Sequence, residues 1–85
     1  MNISKIEQRV LHVLAQGGNI RFERAVNGRV TEATCLTREG FGLSAFDLQT
    51  LRKLKRRKFI KSINGNPYRI SRKGILAVHS QLNNR

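Results

Sequence analysis

Positively charged side chains cluster in residues 51–74, LRKLKRRKFIKSINGNPYRISRKG, and their chemistry is the binding of anions. Six lysines and arginines lie between Arg52 and Lys58, dense enough for each to approach a phosphate or a carboxylate. Contacts to phosphate would release counterions and make affinity fall steeply with salt. An ordinary solvated face mixes both signs of charge, so a binding role is favoured. The predicted contacts to nucleic acid or to an acidic partner are Gln49, Arg52, Lys53, Arg56, Arg57, Lys61 and Arg69.

Other residues capable of chemistry lack the neighbours that catalysis or metal binding requires. Neither His12 nor His79 has a ligand partner at zinc spacing. Cys35 would need an adjacent base to act as a nucleophile, and a half-buried strand cysteine is the commoner role. Gly40 and Gly42 lack the lysine and the strand-to-helix context of a phosphate loop. The sequence therefore predicts a binding protein with no catalytic residues, cofactor or metal.

The composition narrows the class of protein. The chain has 85 residues, 39% of them hydrophobic, which allows one small core, so we expect a single domain over residues 1–85. Its net charge of +12 points to an anionic partner. From Leu43 onward there are eleven basic residues and one acid, Asp47. The single cysteine and the lack of a signal segment or of a span near ~20 apolar residues predict a cytoplasmic protein without membrane contact.

A helix is predicted at the start of the chain. Ser4 followed by Glu7 forms a capping-box pattern, in which each side chain accepts from the other residue's backbone N–H. An apolar stripe with a 3.6-residue period follows, and Gly17-Gly18 ends the helix.

Residues 19–35 change to a two-residue period, which predicts a hairpin. Asn27-Gly28 lies between the two runs and indicates a two-residue turn with positive φ at both positions. Such a turn would place Glu23 opposite Glu32, a mildly unfavourable pair.

The charged cluster falls on a predicted second helix, for which Ser44 followed by Asp47 supplies a capping pattern. Its buried side carries Leu48, Leu51 and Leu54. At ~100° per residue a polar arc of about 160° lies beside them and comprises Arg52, Arg56, Gln49, Lys53, Arg57 and Thr50. Lys55 and Lys58 point toward the leucines and are expected to lay their stems along them, with the ammonium groups in water.

A second hairpin and a third helix complete the predicted pattern. Asn64-Gly65 indicates the turn, and Pro67 must lie in the loop or at a position outside the hydrogen-bonded ladder. Phe59 and Tyr68 are candidates for base stacking, although packing is the commoner role of such residues. Ser71 is the predicted cap of a helix that bears Ile75, Leu76, Val78 and Leu82.

The order of elements predicts a small α+β, winged-helix-like domain: N-terminal helix, β-hairpin, basic helix, wing hairpin and C-terminal helix. In such a domain the basic helix enters a major groove and the wing contacts the backbone. One feature departs from the usual order, because residues 19–35 are β-like where a second helix would precede the recognition helix. Whether the first hairpin pairs with the wing is open at this stage.

The chain resembles a known family over nearly its whole length. The segments MNISKIEQRVLHVLAQGG and LRKLKRRKFIKSINGNPYRI, with the final NNR, are similar to the small bacterial YjhX family. That resemblance implies a toxin of a toxin–antitoxin pair that inhibits DNA topoisomerase I. It also implies two protein partners, topoisomerase I itself and an antitoxin resembling an acetyltransferase.

The favoured hypothesis is a toxin-like inhibitor that binds DNA topoisomerase I through its basic surface, alone or together with DNA. The alternative is a winged-helix transcription regulator that reads DNA through residues 49–57. An RNA-binding protein would fit the charge equally well but lacks the signature of an RNA-binding module.

Overall fold

The computed structural model describes residues 3–83 and the side chains of residues 3–79. Three helices and two antiparallel strand pairs follow one another in the predicted order. The elements are α1 (Lys5–Ala15), β1 (Asn19–Arg24), β2 (Val30–Leu36), α2 (Leu48–Arg56), β3 (Ile60–Lys61), β4 (Arg69–Ile70) and α3 (Arg72–Asn83). The predicted α+β class and the order of helices and hairpins are therefore confirmed.

The first helix begins and packs as predicted. Ser4 Oγ accepts from Glu7 N at 3.2 Å, and Ser4 N donates to Glu7 Oε1 at 3.1 Å, which completes the capping box. Val10, Leu11 and Leu14 are buried and belong to a core cluster shared with all three helices and both hairpins. This cluster fixes α1 against the rest of the molecule.

The first hairpin forms, but the predicted two-residue turn is wrong. Glu23 pairs with Glu32, a β-bulge follows, and a five-residue loop, residues 25–29, joins the strands. Positive φ occurs at Gly28 and not at Asn27. The reason is local: Asn27 Oδ1 accepts from Arg29 N at 3.0 Å, and this side-chain bond competes with the tighter turn.

The start of α2 also differs from the prediction. Asp47, not Ser44, is the N-cap: its Oδ1 accepts from both the N–H and the hydroxyl of Thr50 at 2.8 Å. Ser44 lies in a turn that directs Phe46 into the core. Capping buries Thr50, so Thr50 does not belong to the exposed polar arc.

Lys58 lies beyond the helix rather than on its leucine side. It has φ of 62° just after the C-cap residue Arg57. Its N–H donates to Lys55 O at 2.9 Å, and Phe59 N donates to Leu54 O at 3.1 Å. This pattern is a Schellman closure with lysine at the position that usually holds glycine.

The second hairpin, β3–β4, for which we keep the predicted name wing, is short and is linked to the first hairpin. Asn64 and Gly65 both have positive φ, as the turn prediction requires. Ile20 and Tyr68 exchange backbone hydrogen bonds of 2.9 and 2.8 Å, which form one antiparallel bridge between β1 and the residue before β4. The two hairpins are therefore separate two-stranded sheets linked by this one bridge, which answers the question that the sequence left open. Pro67 lies in the loop between β3 and β4, as expected.

The third helix packs closely on the wing. Ser71 Oγ accepts from Gly74 N at 3.0 Å, which confirms its capping role. A Cβ on Gly74 would lie 2.3 Å from Phe59 O, so glycine lets the helix backbone approach the wing. The predicted apolar face is only partly correct: Val78 is buried, whereas Ile75 and Leu76 are exposed. The side chain of Leu82 lies outside the described residues.

Three side chains considered for chemistry or base stacking lie in the core. Phe59 and Tyr68 are buried, which leaves neither ring open to a base. Cys35 is fully buried rather than half-buried, and this burial raises the pKa of its thiol to about 11. A neutral, enclosed thiol is a poor nucleophile.

Candidate anion-binding surface

Four of the predicted contact residues form one exposed row on α2, and we call this set the outer row. Leu51 and Leu54 are buried beneath the helix and fix its orientation. Within the described part of the chain, Arg52 and Arg56 form no ion pair. The outer row consists of Gln49, Arg52, Lys53 and Arg56, all of them exposed.

The N-terminal cap stabilises the helix that carries this row. The two hydrogen bonds from Thr50 lower the pKa of the Asp47 carboxyl group, with a smaller contribution from the charge of Lys53. Asp47 is also the last acidic residue of the sequence. From Leu48 onward, positive charge is therefore not balanced by any acidic side chain of the same segment.

Arg57 occupies a different position from the outer row. Its side chain is 36% exposed, and its Nε lies 3.7 Å from Oε2 of Glu7, whose side chain is 3% exposed. The sequence pattern identified Glu7 only as a capping residue. Its second carboxylate oxygen contacts the C-cap residue of α2 through a tertiary interaction, which the helical wheel does not reveal.

The wing contributes two further predicted contacts. Lys61 and Arg69 lie opposite each other in the β3–β4 pair, and both are exposed. Like charges at directly opposite positions are unfavourable in an antiparallel pair. An anionic partner would relieve this repulsion.

A cleft between the first hairpin and α2 holds three cations that sequence reasoning missed. We call it the loop cleft; its volume is about 260 Å³, and the charged side chains around it are Arg24, Arg29, Arg52 and Lys55. The remaining lining residues are Gly28, Val30, Leu48 and Leu51. The Asn-Gly signal placed Arg24 and Arg29 near a turn. The Asn-Gly pair gave no information about α2, the helix that lies beside this loop.

The described residues offer little for metal binding or nucleophilic chemistry. His12 and His79 are exposed, so neither has the buried environment of a typical catalytic base. Across residues 3–79, no three His, Cys, Asp or Glu side chains come close enough to hold a metal ion. Among the described helices, none is long and apolar enough to cross a membrane.

The fold and the surface together define a small, strongly basic α+β protein with dense clusters of exposed positive charge on α2 and the two hairpins. A sequence model of the YjhX toxin family, described as "Putative toxin of bacterial toxin-antitoxin pair", matches residues 1–85. The chain belongs to this family, as its resemblance indicated, and membership implies an antitoxin partner.

Curated relatives span the whole chain. The UPF0386 protein of Ruegeria sp. is 59% identical, that of Aliivibrio fischeri 53% and that of Chelativorans sp. 52%, each over 85 residues and the full length of both proteins. No solved structure matches the chain.

Proposed function

We propose that this protein is a cytoplasmic toxin that binds DNA topoisomerase I through the outer row and the wing cations and does no chemistry of its own. The observation that carries the proposal is the outer row: three exposed cations on a helix held by buried leucines. Family membership supports the toxin role. Topoisomerase I as the target is what the resemblance to the YjhX family implies.

Inhibition follows from occupancy of the enzyme. The positive surface is complementary to an acidic region, and long-range attraction between opposite charges raises the rate of encounter. Once bound, the domain obstructs the path of the DNA strand. The antitoxin, of the acetyltransferase-like kind that the resemblance implies, would reverse inhibition by competing for the toxin.

A second function, DNA-binding regulation, is favoured by one specific arrangement. The basic helix α2 leads through Lys58 directly into the two-stranded wing, where Lys61 and Arg69 stand side by side. In a winged-helix domain this combination places a helix in the major groove and the wing on phosphates. Specific binding to an upstream DNA site that persists across a salt series would support this candidate.

A pull-down of topoisomerase I in the presence of nuclease tests the first proposal. The triple variant Arg52→Glu, Lys53→Glu, Arg56→Glu should lose capture, whereas Lys5→Glu, Arg9→Glu, Arg38→Glu should retain it. Both variants change the net charge by the same amount, and all six positions are exposed. Arg57 is left intact because it contacts Glu7. Failure of the unmodified protein to capture the enzyme rejects the topoisomerase proposal.

A further inference from the structure

The loop cleft has a positively charged part and an apolar part within one small site. Four cations surround it, two from the first hairpin and two from α2, and none of the described residues that line it is acidic. Val30, Leu48 and Leu51 supply an apolar side. With a volume of about 260 Å³, against ~30 Å³ per molecule of liquid water, it has room for an aliphatic side chain beside a carboxylate.

Two of the four cations have contacts that orient their side chains. Arg24 Nη1 donates to Gly28 O at 2.7 Å, and its guanidinium lies 5.0 Å from the centre of the Phe22 ring. The Lys55 ammonium lies 5.6 Å from the centre of the Tyr68 ring. Side chains positioned in advance lose less conformational entropy on binding.

The cleft and the outer row face different directions around α2. At ~100° per residue, Leu48, Leu51, Arg52 and Lys55 centre on the leucine side of α2, with Arg52 at the edge of the exposed arc. Gln49, Lys53 and Arg56 lie roughly a third of a turn away. The two surfaces share only Arg52, so separate partners can use them.

We propose that the loop cleft binds an acidic polypeptide segment that carries one aliphatic side chain between its carboxylates. The carboxylates would pair with Arg24, Arg29 and Lys55, and the aliphatic side chain would pack against Leu48 and Val30. A nucleic-acid backbone satisfies the cations but leaves the apolar side unfilled. The antitoxin implied by family membership is the first protein in which to seek such a segment. The cleft has this role whichever target the outer row binds.

Fluorescence anisotropy with a labelled short peptide, acidic residues around one leucine, tests the assignment at near-physiological salt. Arg29→Glu, Lys55→Glu should weaken binding at least about tenfold, which corresponds to ~1.4 kcal/mol. The charge-matched control Lys5→Glu, Arg9→Glu should bind nearly as the unmodified protein does. Arg29→Gln, Lys55→Gln should give an intermediate loss, and circular dichroism checks that every variant is folded.

Three results would overturn the proposal. One is equal weakening by the cleft variant and its charge-matched control, which would indicate net charge alone. Another is equal binding of a peptide whose leucine is replaced by serine. The third is equal competition by a thymidine oligonucleotide of the same charge. The variant Lys53→Glu, Arg56→Glu should keep peptide binding even where topoisomerase capture is lost, which separates this test from that of the proposed function.

Discussion

Glu7 Oε2 lies 3.7 Å from Arg57 Nε, so a carboxylate of the first helix contacts the residue that closes the basic helix. The other oxygen of Glu7 caps the start of α1. One nearly buried side chain thus serves both the capping box and the junction between two helices. Arg57 therefore has a structural contact in addition to the binding role predicted for it.

Replacement of Arg57 should lower stability as well as charge. Arg57→Ala leaves the Glu7 carboxylate buried without this partner, and we expect a loss of about 1–2 kcal/mol in the free energy of unfolding. The exposed Arg56→Ala is the matched control and should change stability by less than ~0.5 kcal/mol. Urea denaturation of both variants measures the difference. Equal midpoints would show that the Glu7 contact contributes nothing.

Lys58 occupies a backbone conformation that favours glycine. Lys58→Gly should raise the free energy of unfolding by roughly 0.5–1 kcal/mol, because it removes the strain of a side chain at φ of 62°. Lys58→Ala removes the same charge but keeps the strain, so it should not stabilise. Thermal unfolding of the pair separates the two effects. A stabilised alanine variant would assign the gain to charge instead.

Gly74 marks the closest approach of α3 to the wing. Gly74→Ala should destabilise despite the higher helix propensity of alanine, since its Cβ would lie 2.3 Å from Phe59 O and 2.8 Å from Ile70 Cγ1. Relief requires the helix to move away, at a cost of about 1–3 kcal/mol. The nearby exposed change Lys73→Ala is the control. A neutral Gly74→Ala in chemical denaturation would mean that the helix adjusts freely.

The Asp47 cap predicts a specific dependence of stability on pH. Hydrogen bonds from Thr50 lower the pKa of this carboxyl group in the folded state. Its contribution is therefore complete above the unfolded pKa, near 3.9, and is lost as pH falls through the lower folded value. Asp47→Asn keeps a capping oxygen but does not titrate. The difference in melting temperature between the unmodified protein and this variant should shrink on acidification below about pH 4, and a constant difference would contradict the cap's role.

Local sequence patterns were enough to predict most of the order of helices and strands. The features that they failed to predict depend on tertiary contacts. Capping boxes and Asn-Gly pairs act over a few residues, so the first helix and the wing turn were predictable. Ser44 and Asp47 are both residue types that cap helices. The burial of Phe46, which accompanies the start of the helix after Asp47, could not be read from the local pattern.

The candidate surface shows the same division. A helical wheel placed Arg52, Lys53 and Arg56 on the exposed side, because the leucines define the buried one. It had no means of identifying the Glu7 contact of Arg57. Nor did it place Arg24 and Arg29 beside α2, since that neighbourhood depends on how a distant hairpin folds back.

The paired backbone bonds between Ile20 and Tyr68 join the two hairpins into one frame through a single bridge. The loop tips, with Val26 on one and Ile63 on the other, project from that frame into solvent. Residues at the two tips can therefore be replaced to bind new targets without changes to the hairpins that carry them.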